Sequence, residues 1–331
     1  MSEKIIAIDA MGGDNAPNET VKGVVAASKV VKYKLALVGK EDIIKAELSK
    51  YEYDKDKIMV VNATEIIENC ETPTEAIKHK KDSSMVVGLN MVKEGQALAF
   101  VSAGNTGALL TGATIIVGRI KGVKRPALGT MLPTEKKRVL MLDSGANVDA
   151  KPEYLVQYAQ MGSVYMEFVD GRENPKVGLV NIGTEREKGN AVVKEAYGLL
   201  EEAKGINFVG NTEARDITLG DVDIIVCDAF VGNVILKVME GLAHTVLRIL
   251  KKSLMSSLRT KIGALLSKPA FKKMQSDFFE YADIAGAPFL GLKGLVVKAH
   301  GSSDFKDIVG AVKQCERFID GDIVNKIAER L

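Results

Sequence analysis

Six stretches of small and amide side chains carry the chemistry that this sequence of 331 residues could perform. They are Asp9–Pro17, Ser102–Ala108, Asp143–Asp149, Asn181–Asn190, Asp228–Asn233 and His300–Asp304. Glycine lets a backbone approach a ligand closely, and Asn, Ser and Thr offer uncharged hydrogen bonds. One such stretch is what any turn or helix cap uses. Six of them, each following an apolar run, point to a shared site for an anionic ligand. The Ser102–Ala108 stretch leads into Leu109-Leu110 and Ile115-Ile116, which puts its amides at a helix N-terminus, a favourable place for an anion. His300 adjoins one stretch and serves equally well as a hydrogen-bonded structural residue or a functional one.

Other chemistries lack their residues. No GxxxxGK[ST] loop is present for nucleotide hydrolysis, no GxGxxG opens the first helix, and no GxSxG elbow offers a serine nucleophile. His79, His244 and His300 have no metal-ligand spacing, so no metal is expected. Cys70, Cys227 and Cys315 lie far apart, which argues against a zinc site or a disulfide framework.

Short apolar runs must position the six stretches. Ile5–Ile8, Leu35–Val38, Ile58–Val61, Leu98–Val101, Val139–Leu142, Val177–Val180, Ile224–Val226 and Leu295–Val297 are continuous rather than alternating. That suits strands buried on both faces of a parallel sheet. Val21, Val24 and Val25 share one helical face, and Met85, Leu89 and Val92 another. Pro152 begins a helix carrying Leu155, Tyr158 and Tyr165. Alternating strand and helix predicts a three-layer α/β/α fold with a mostly parallel, doubly wound sheet. In open sheets of this kind the carboxyl ends of the strands line the ligand crevice. Residues 1–331 read as one domain.

At 46% hydrophobic, the chain can bury a large core. A net charge of +2, no Trp and 5% aromatic residues leave nucleic acid unsupported as a partner. The apolar run after Met1 is too short for a signal peptide, and no stretch reaches the ~20 apolar residues of a membrane span, so a cytoplasmic location is expected.

One segment breaks this even balance. Between Glu240 and Asp277 there is no acid, and Arg248, Lys251, Lys252, Arg259, Lys261, Lys268, Lys272 and Lys273 crowd together. Those eight cations, set against a whole-chain charge of +2, leave the remainder at −6. Leu254, Leu258, Ile262, Leu265 and Leu266 recur at helical spacing. A long helix from about Asn233, interrupted at Gly263 and Pro269, would make residues 234–280 a projecting arm that adsorbs to anionic lipid, with Lys268 and Lys272 among its cations. The same pattern fits a basic face over a core or dimer helix, or a surface for an acidic protein.

With these stretches in order, the chain resembles the bacterial acyl-carrier-protein:phosphate acyltransferase family, PlsX. The likeness runs from Ile8–Pro17 through Ser102–Ala108, Arg125-Pro126-Ala127, Asp143–Asp149, Asn181–Asn190 and Gly232-Asn233-Val234 to His300–Ser303. Two positions depart from the family pattern: Ala229 stands before Phe230 in place of Gly, and Ala285-Gly286-Ala287-Pro288 replaces Gly-Gly-Ala-Pro. The resemblance implies an isocitrate/isopropylmalate dehydrogenase-like fold used without nicotinamide or any other cofactor. It implies a homodimer with its active site near the subunit interface, association with the inner face of the cell membrane, and delivery of acyl phosphate to a membrane glycerol-3-phosphate acyltransferase in phospholipid synthesis. Fatty acyl-acyl-carrier protein and inorganic phosphate would be the substrates. The catalytic Lys and Asn carry over to Lys188 and Asn233. Ser102, Gly104, Asn105, Thr106, Asn147, Asn190, His300 and Ser302 are then expected around the phosphate.

The absence of a triad fits that reaction. Phosphate loses its second proton near pH 6 and is itself a nucleophile. The leaving thiolate, of pKa about 8.5, needs little acid assistance. Three rivals remain: a soluble phosphate acetyltransferase using coenzyme A, a nicotinamide-dependent decarboxylating dehydrogenase, and a noncatalytic membrane scaffold.

Overall fold

The computed structural model describes residues 4–278 and 286–331. Its first half runs β1 (Ile5–Asp9), α1 (Asn18–Ser28), β2 (Lys34–Gly39), α2 (Glu41–Leu48), β3 (Ile58–Asn62), α3 (Pro73–His79), α4 (Ser84–Lys93), β4 (Ala99–Ser102) and α5 (Thr106–Gly112). It continues with β5 (Ala127–Leu128), β6 (Thr130–Leu132), β7 (Val139–Leu142), α6 (Pro152–Phe168), β8 (Lys176–Asn181), α7 (Ala191–Glu202), β9 (Asn207–Glu213) and β10 (Ile224–Val226). The last part is α8 (Ala229–Leu254), α9 (Leu258–Leu266), α10 (Lys268–Phe278), β11 (Gly286–Leu290), β12 (Leu295–Ala299), α11 (Phe305–Asp320) and α12 (Ile323–Arg330).

The α/β class and the mostly parallel pairing are as expected, but the strands divide between two sheets. One holds seven strands in the order β3-β2-β1-β4-β12-β11-β5, the other five in the order β6-β7-β10-β8-β9. Antiparallel pairs confine themselves to β11 with β12 and β5, and to β6 with β7. The continuous apolar runs behave as two-sided strands. Ile6 and Ile8 of β1 enter one core with Val21, Val24 and Val25 of α1, while Ala7 enters another with Met85 and Leu89 of α4. β4 does the same: Ala99 and Val101 face the first core, Phe100 the second. The first core also takes Leu140 and Leu142 of the five-stranded sheet, with Leu155, Tyr158 and Tyr165 of α6. Each such fully buried side chain contributes on the order of 1.5–3 kcal/mol, so both sheets are anchored by their cores rather than by local propensity.

α8 is the element that leaves this body. It starts at Ala229, four residues before the predicted Asn233, because Asp228 caps it by accepting from the Val231 amide at 2.8 Å. Val231, Ile235, Leu236 and Met239 pack on the five-stranded sheet, but only Ala229 and Gly232 are fully buried. By length and composition α8 is apolar enough to cross a membrane, which the sequence reading did not expect. Lys237, Glu240, Arg248, Lys251 and Lys252 interleave with its apolar positions.

The interruptions of the arm also differ from expectation. Gly263 sits inside α9 without breaking it, and Pro269 occupies the first turn of α10, where proline is tolerated. The breaks fall at Met255–Ser257 and at Ser267. Ser257 and Thr260 restart the chain with reciprocal side-chain caps. Leu258, Ile262, Leu265 and Leu266 are exposed, as are Lys268 and Lys272. Leu254 parts from that set: it lines a cleft inside the arm with Leu247, Leu250, Phe271 and Met274. Residues 279–280 of the predicted arm, and Ala285, lie outside the described residues.

Candidate active site

Two buried carboxylates build the loops that matter. Asp9 ends β1, and its carboxylate accepts the amides of Met11 and Gly12, both at 3.1 Å, and the Ser102 hydroxyl at 2.7 Å. Ser102 in turn accepts from the Gly104 amide at 3.1 Å. A Cβ at Gly12 would lie 2.4 Å from the Asp9 carboxylate and 2.8 Å from the Gly104 amide, so only glycine lets the β1 and β4 loops close on each other. The second carboxylate, Asp143 at the end of β7, is fully buried. It gathers the amides of Leu128, Gly145, Ala146 and Asn147 and the Asn147 side chain, at 2.8–3.1 Å. Burial pushes its carboxyl up from the ordinary range, and these donors oppose that shift.

α8 is docked on this second loop. The Ala229 amide donates to the Asn147 carbonyl at 2.9 Å, and a Cβ on Gly232 would come within 2.0 Å of the Asp143 carbonyl oxygen. Glycine at 232 therefore sets how closely the helix approaches. Ala229, one of the two departures from the family pattern, takes ordinary helical backbone and needs no glycine there.

Between these loops opens a cavity of about 590 Å³, lined from both sheets. Ala103–Gly107 after β4, His300 and Gly301 after β12, Ser144 and Gly145 after β7, and Asn233 on α8 share its wall. Asn233 is exposed and has no side-chain partner among the described residues. Four of the six predicted stretches thus meet. The Asp9–Pro17 stretch buttresses them from behind: the Asp14 amide donates to the Gly301 carbonyl at 2.8 Å, and Asn15 donates to the Ser302 carbonyl at 3.0 Å.

The predicted residues sort accordingly. Gly104, Asn105, Thr106, His300 and Asn233 line the cavity. Asn105 does so with its side chain engaged, accepting from the Ala108 amide at 2.9 Å to cap α5 and donating to the Asn69 carbonyl at 2.9 Å. Ser102 is buried beneath the wall on Asp9. Ser302 stands behind His300, its hydroxyl 2.8 Å from Nδ1. Asn147 does not reach the cavity, because its amide is held by Asp143 and by the Pro126 carbonyl at 2.7 Å. Asn190 is a helix cap, accepting from the Val193 amide at 3.0 Å. Lys188 is exposed on the β8–α7 turn and is not among the cavity-lining residues. Of Lys188 and Asn233, paired by the resemblance, Asn233 alone lines this cavity.

Lys298 was missed. It lies on β12, is 9% exposed and lines the same cavity. Its signal was present: a lone charge in the apolar run Leu295-Val296-Val297, just before Ala299-His300-Gly301. Thr130 and Ser144, whose hydroxyls pair at 2.7 Å, were missed as well. The Ser144 hydroxyl also donates to the Leu128 carbonyl at 3.0 Å, and His300 on the same wall pairs through Nδ1 with the Ser302 hydroxyl, with no bond to Ser144 among the described residues. Cys227 is buried, which pushes its thiol well above the usual range and makes it a poor nucleophile. Among the described residues no three His, Cys, Asp or Glu side chains converge to hold a metal.

The layout is one seen before. A phosphotransacetylase from Streptococcus pyogenes superposes with a TM-score of 0.60 at 15% identity, covering 96% of this chain and 94% of its own. A 4-hydroxythreonine-4-phosphate dehydrogenase from Klebsiella pneumoniae gives 0.53 at 12%, covering 95% and 97%. At such identities these likenesses concern the fold alone. Sequence goes further. Residues 5–326 match the family described as fatty acid synthesis protein. A phosphate acyltransferase from Clostridium acetobutylicum is 50% identical over 328 residues, 99% of this chain and 98% of its own. The chain belongs to that family of phosphate acyltransferases, PlsX, and is an enzyme.

Proposed function

We propose that the enzyme moves a fatty acyl group from an acyl-carrier-protein thioester to inorganic phosphate by direct attack, supplying acyl phosphate for phospholipid synthesis. The observation that carries this is the cavity itself: amide-rich loops and an unengaged Asn233 surround it, and among the described residues the hydroxyls on its wall, of Thr106, Thr130 and Ser144, have no basic side chain as hydrogen-bond partner. Phosphate held there would attack the thioester carbonyl, form a tetrahedral oxyanion, and release the carrier's thiolate. The protein's contribution is to hold two anionic partners in register and to stabilise the oxyanion. Asn233 is placed in that last role. Lys188, exposed on its turn, can serve the phosphate only if the β8–α7 turn closes or a second copy completes the site.

A homodimer is part of the proposal. Val234, Val238 and Leu242 form an exposed stripe along α8 beside the face that packs on its sheet, and a second copy would cover it. The exposed leucines and the lysines of α9 and α10 support peripheral attachment to the inner face of the cell membrane, at roughly 1 kcal/mol per cation facing anionic lipid. Acyl phosphate would pass there to a membrane glycerol-3-phosphate acyltransferase.

The test is mass spectrometry of the products formed by pure protein from acyl-acyl-carrier protein and phosphate. Acyl phosphate formed from the carrier thioester and not from the coenzyme A thioester is expected. Preference for coenzyme A would favour the phosphate acetyltransferase rival. A trapped acyl-enzyme would sink direct attack.

A further inference from the structure

Lys298 is the buried charge that the account above leaves unused. It projects from β12, the strand whose end carries His300 and Gly301 into the cavity. Its ammonium donates to the carbonyls of Ala103, at 3.2 Å, and Ala299. An ammonium has three donors, so one has no partner among the described residues. No carboxylate among them lies within ion-pair distance of it. The acids that act on it are Asp9, from the end of β1, and Asp14, from the loop that follows. Asp9 is already engaged by two amides and the Ser102 hydroxyl. On α8, across the cavity, Lys237 pairs with Glu240 at 2.9 Å and neutralises it. A buried cation without an ion-pair partner is costly, and proteins keep such a group where an anion comes to it.

Resting on the phosphate acyltransferase assignment, we infer that Lys298 binds the substrate phosphate, its third N–H holding a phosphate oxygen against the Ala103–Gly107 loop. The site then has its cation within one chain, on a strand, and without the exposed turn that carries Lys188. Burial lowers the pKa of the Lys298 ammonium to about 8, while Asp9 and Asp14 raise it. A bound dianion adds to the raising side. A purely structural lysine, bridging two carbonyls, would be indifferent to phosphate.

Two measurements decide. In steady-state assays with the carrier thioester, Lys298→Met should raise the KM for phosphate by about ten- to a hundredfold, the range of one charge-assisted hydrogen bond, while the thioester KM stays within about twofold. Lys298→Arg should recover part of the phosphate affinity. A folded Lys298→Met with unchanged phosphate KM would overturn the assignment. The second measurement does not depend on a variant's folding or on turnover. The Lys298 side chain of the wild type, labelled at the ε-carbon, is titrated by NMR with and without inorganic phosphate. Its midpoint should rise by about one unit or more at saturation, and an unmoved midpoint would overturn the inference. If the wild type makes no acyl phosphate but the midpoint moves, the proposed reaction falls and the phosphate site stands.

Discussion

At the scale of single residues, the cavity separates side chains that hold the loops from side chains left for substrate. Asp9, Asp143, Asn147, Asn105 and Ser102 all have their hydrogen-bonding capacity engaged within the protein. Asn233 does not. Asn233→Ala should therefore cost about a hundredfold or more in kcat, the usual loss for an oxyanion donor, with the melting temperature unchanged. Equal activity in the two proteins would remove Asn233 from the chemistry. Lys298 gives a pH signature in the ligand-free protein. Its folded pKa, about 8, lies below the ordinary 10.5, so between those values the unfolded chain binds more protons than the folded one. Stability from this group rises with pH across that window and is flat below it. Denaturant unfolding from pH 7 to 10.5 should show a rise that Lys298→Met lacks; parallel curves would contradict the burial of a charged ammonium.

At the scale of elements, the junction of α8 with the β7 loop is the tightest part of the site. A methyl at Gly232 would strike the Asp143 carbonyl, a backbone atom that cannot rotate away. Gly232→Ala should lose about 1–3 kcal/mol in urea unfolding, the cost of overpacking, and should lose activity as Asn233 shifts; wild-type stability would show that the helix can back off freely. The strands feeding the site were legible because each is a continuous apolar run buried on both faces. Others were not. β5 has two residues, β11 carries Pro288 inside Gly-Ala-Pro-Phe-Leu, and β9 reads Asn-Phe-Val-Gly-Asn-Thr-Glu because it lies on an edge. The division into two sheets was also hidden, since an apolar run reports burial and not which neighbour it pairs with. Asn147 and Asn190, expected around the phosphate, brace a loop and cap α7, and an amide in either role has the same residue type as a binding one.

At the scale of the whole molecule, the uneven charge has a definite address. Five of the eight cations of the acid-free segment and the exposed Leu258, Leu265 and Leu266, the last two 68% and 76% exposed, sit on α9 and α10, and Arg248, Lys251 and Lys252 on the last turns of α8. Leu258→Glu/Leu265→Glu should abolish flotation with anionic liposomes while leaving turnover of soluble thioester intact. Undiminished flotation would reject lipid attachment through this face. Val238→Glu, on the stripe that is 62% exposed at that residue, should shift sedimentation from dimer to monomer if a second copy covers α8, and an unchanged mass would assign the stripe elsewhere.

The docking of α8 at Gly232 acts as a fulcrum. From there the helix runs 22 residues to Leu254, about 33 Å at 1.5 Å per residue, whereas Asn233 is a single step away at about 1.5 Å. Were the arm to rest on a bilayer as proposed, sway of its outer end would be reduced about twentyfold by the time it reached Asn233. An enzyme so attached would ride a moving surface while its reaction centre stays still.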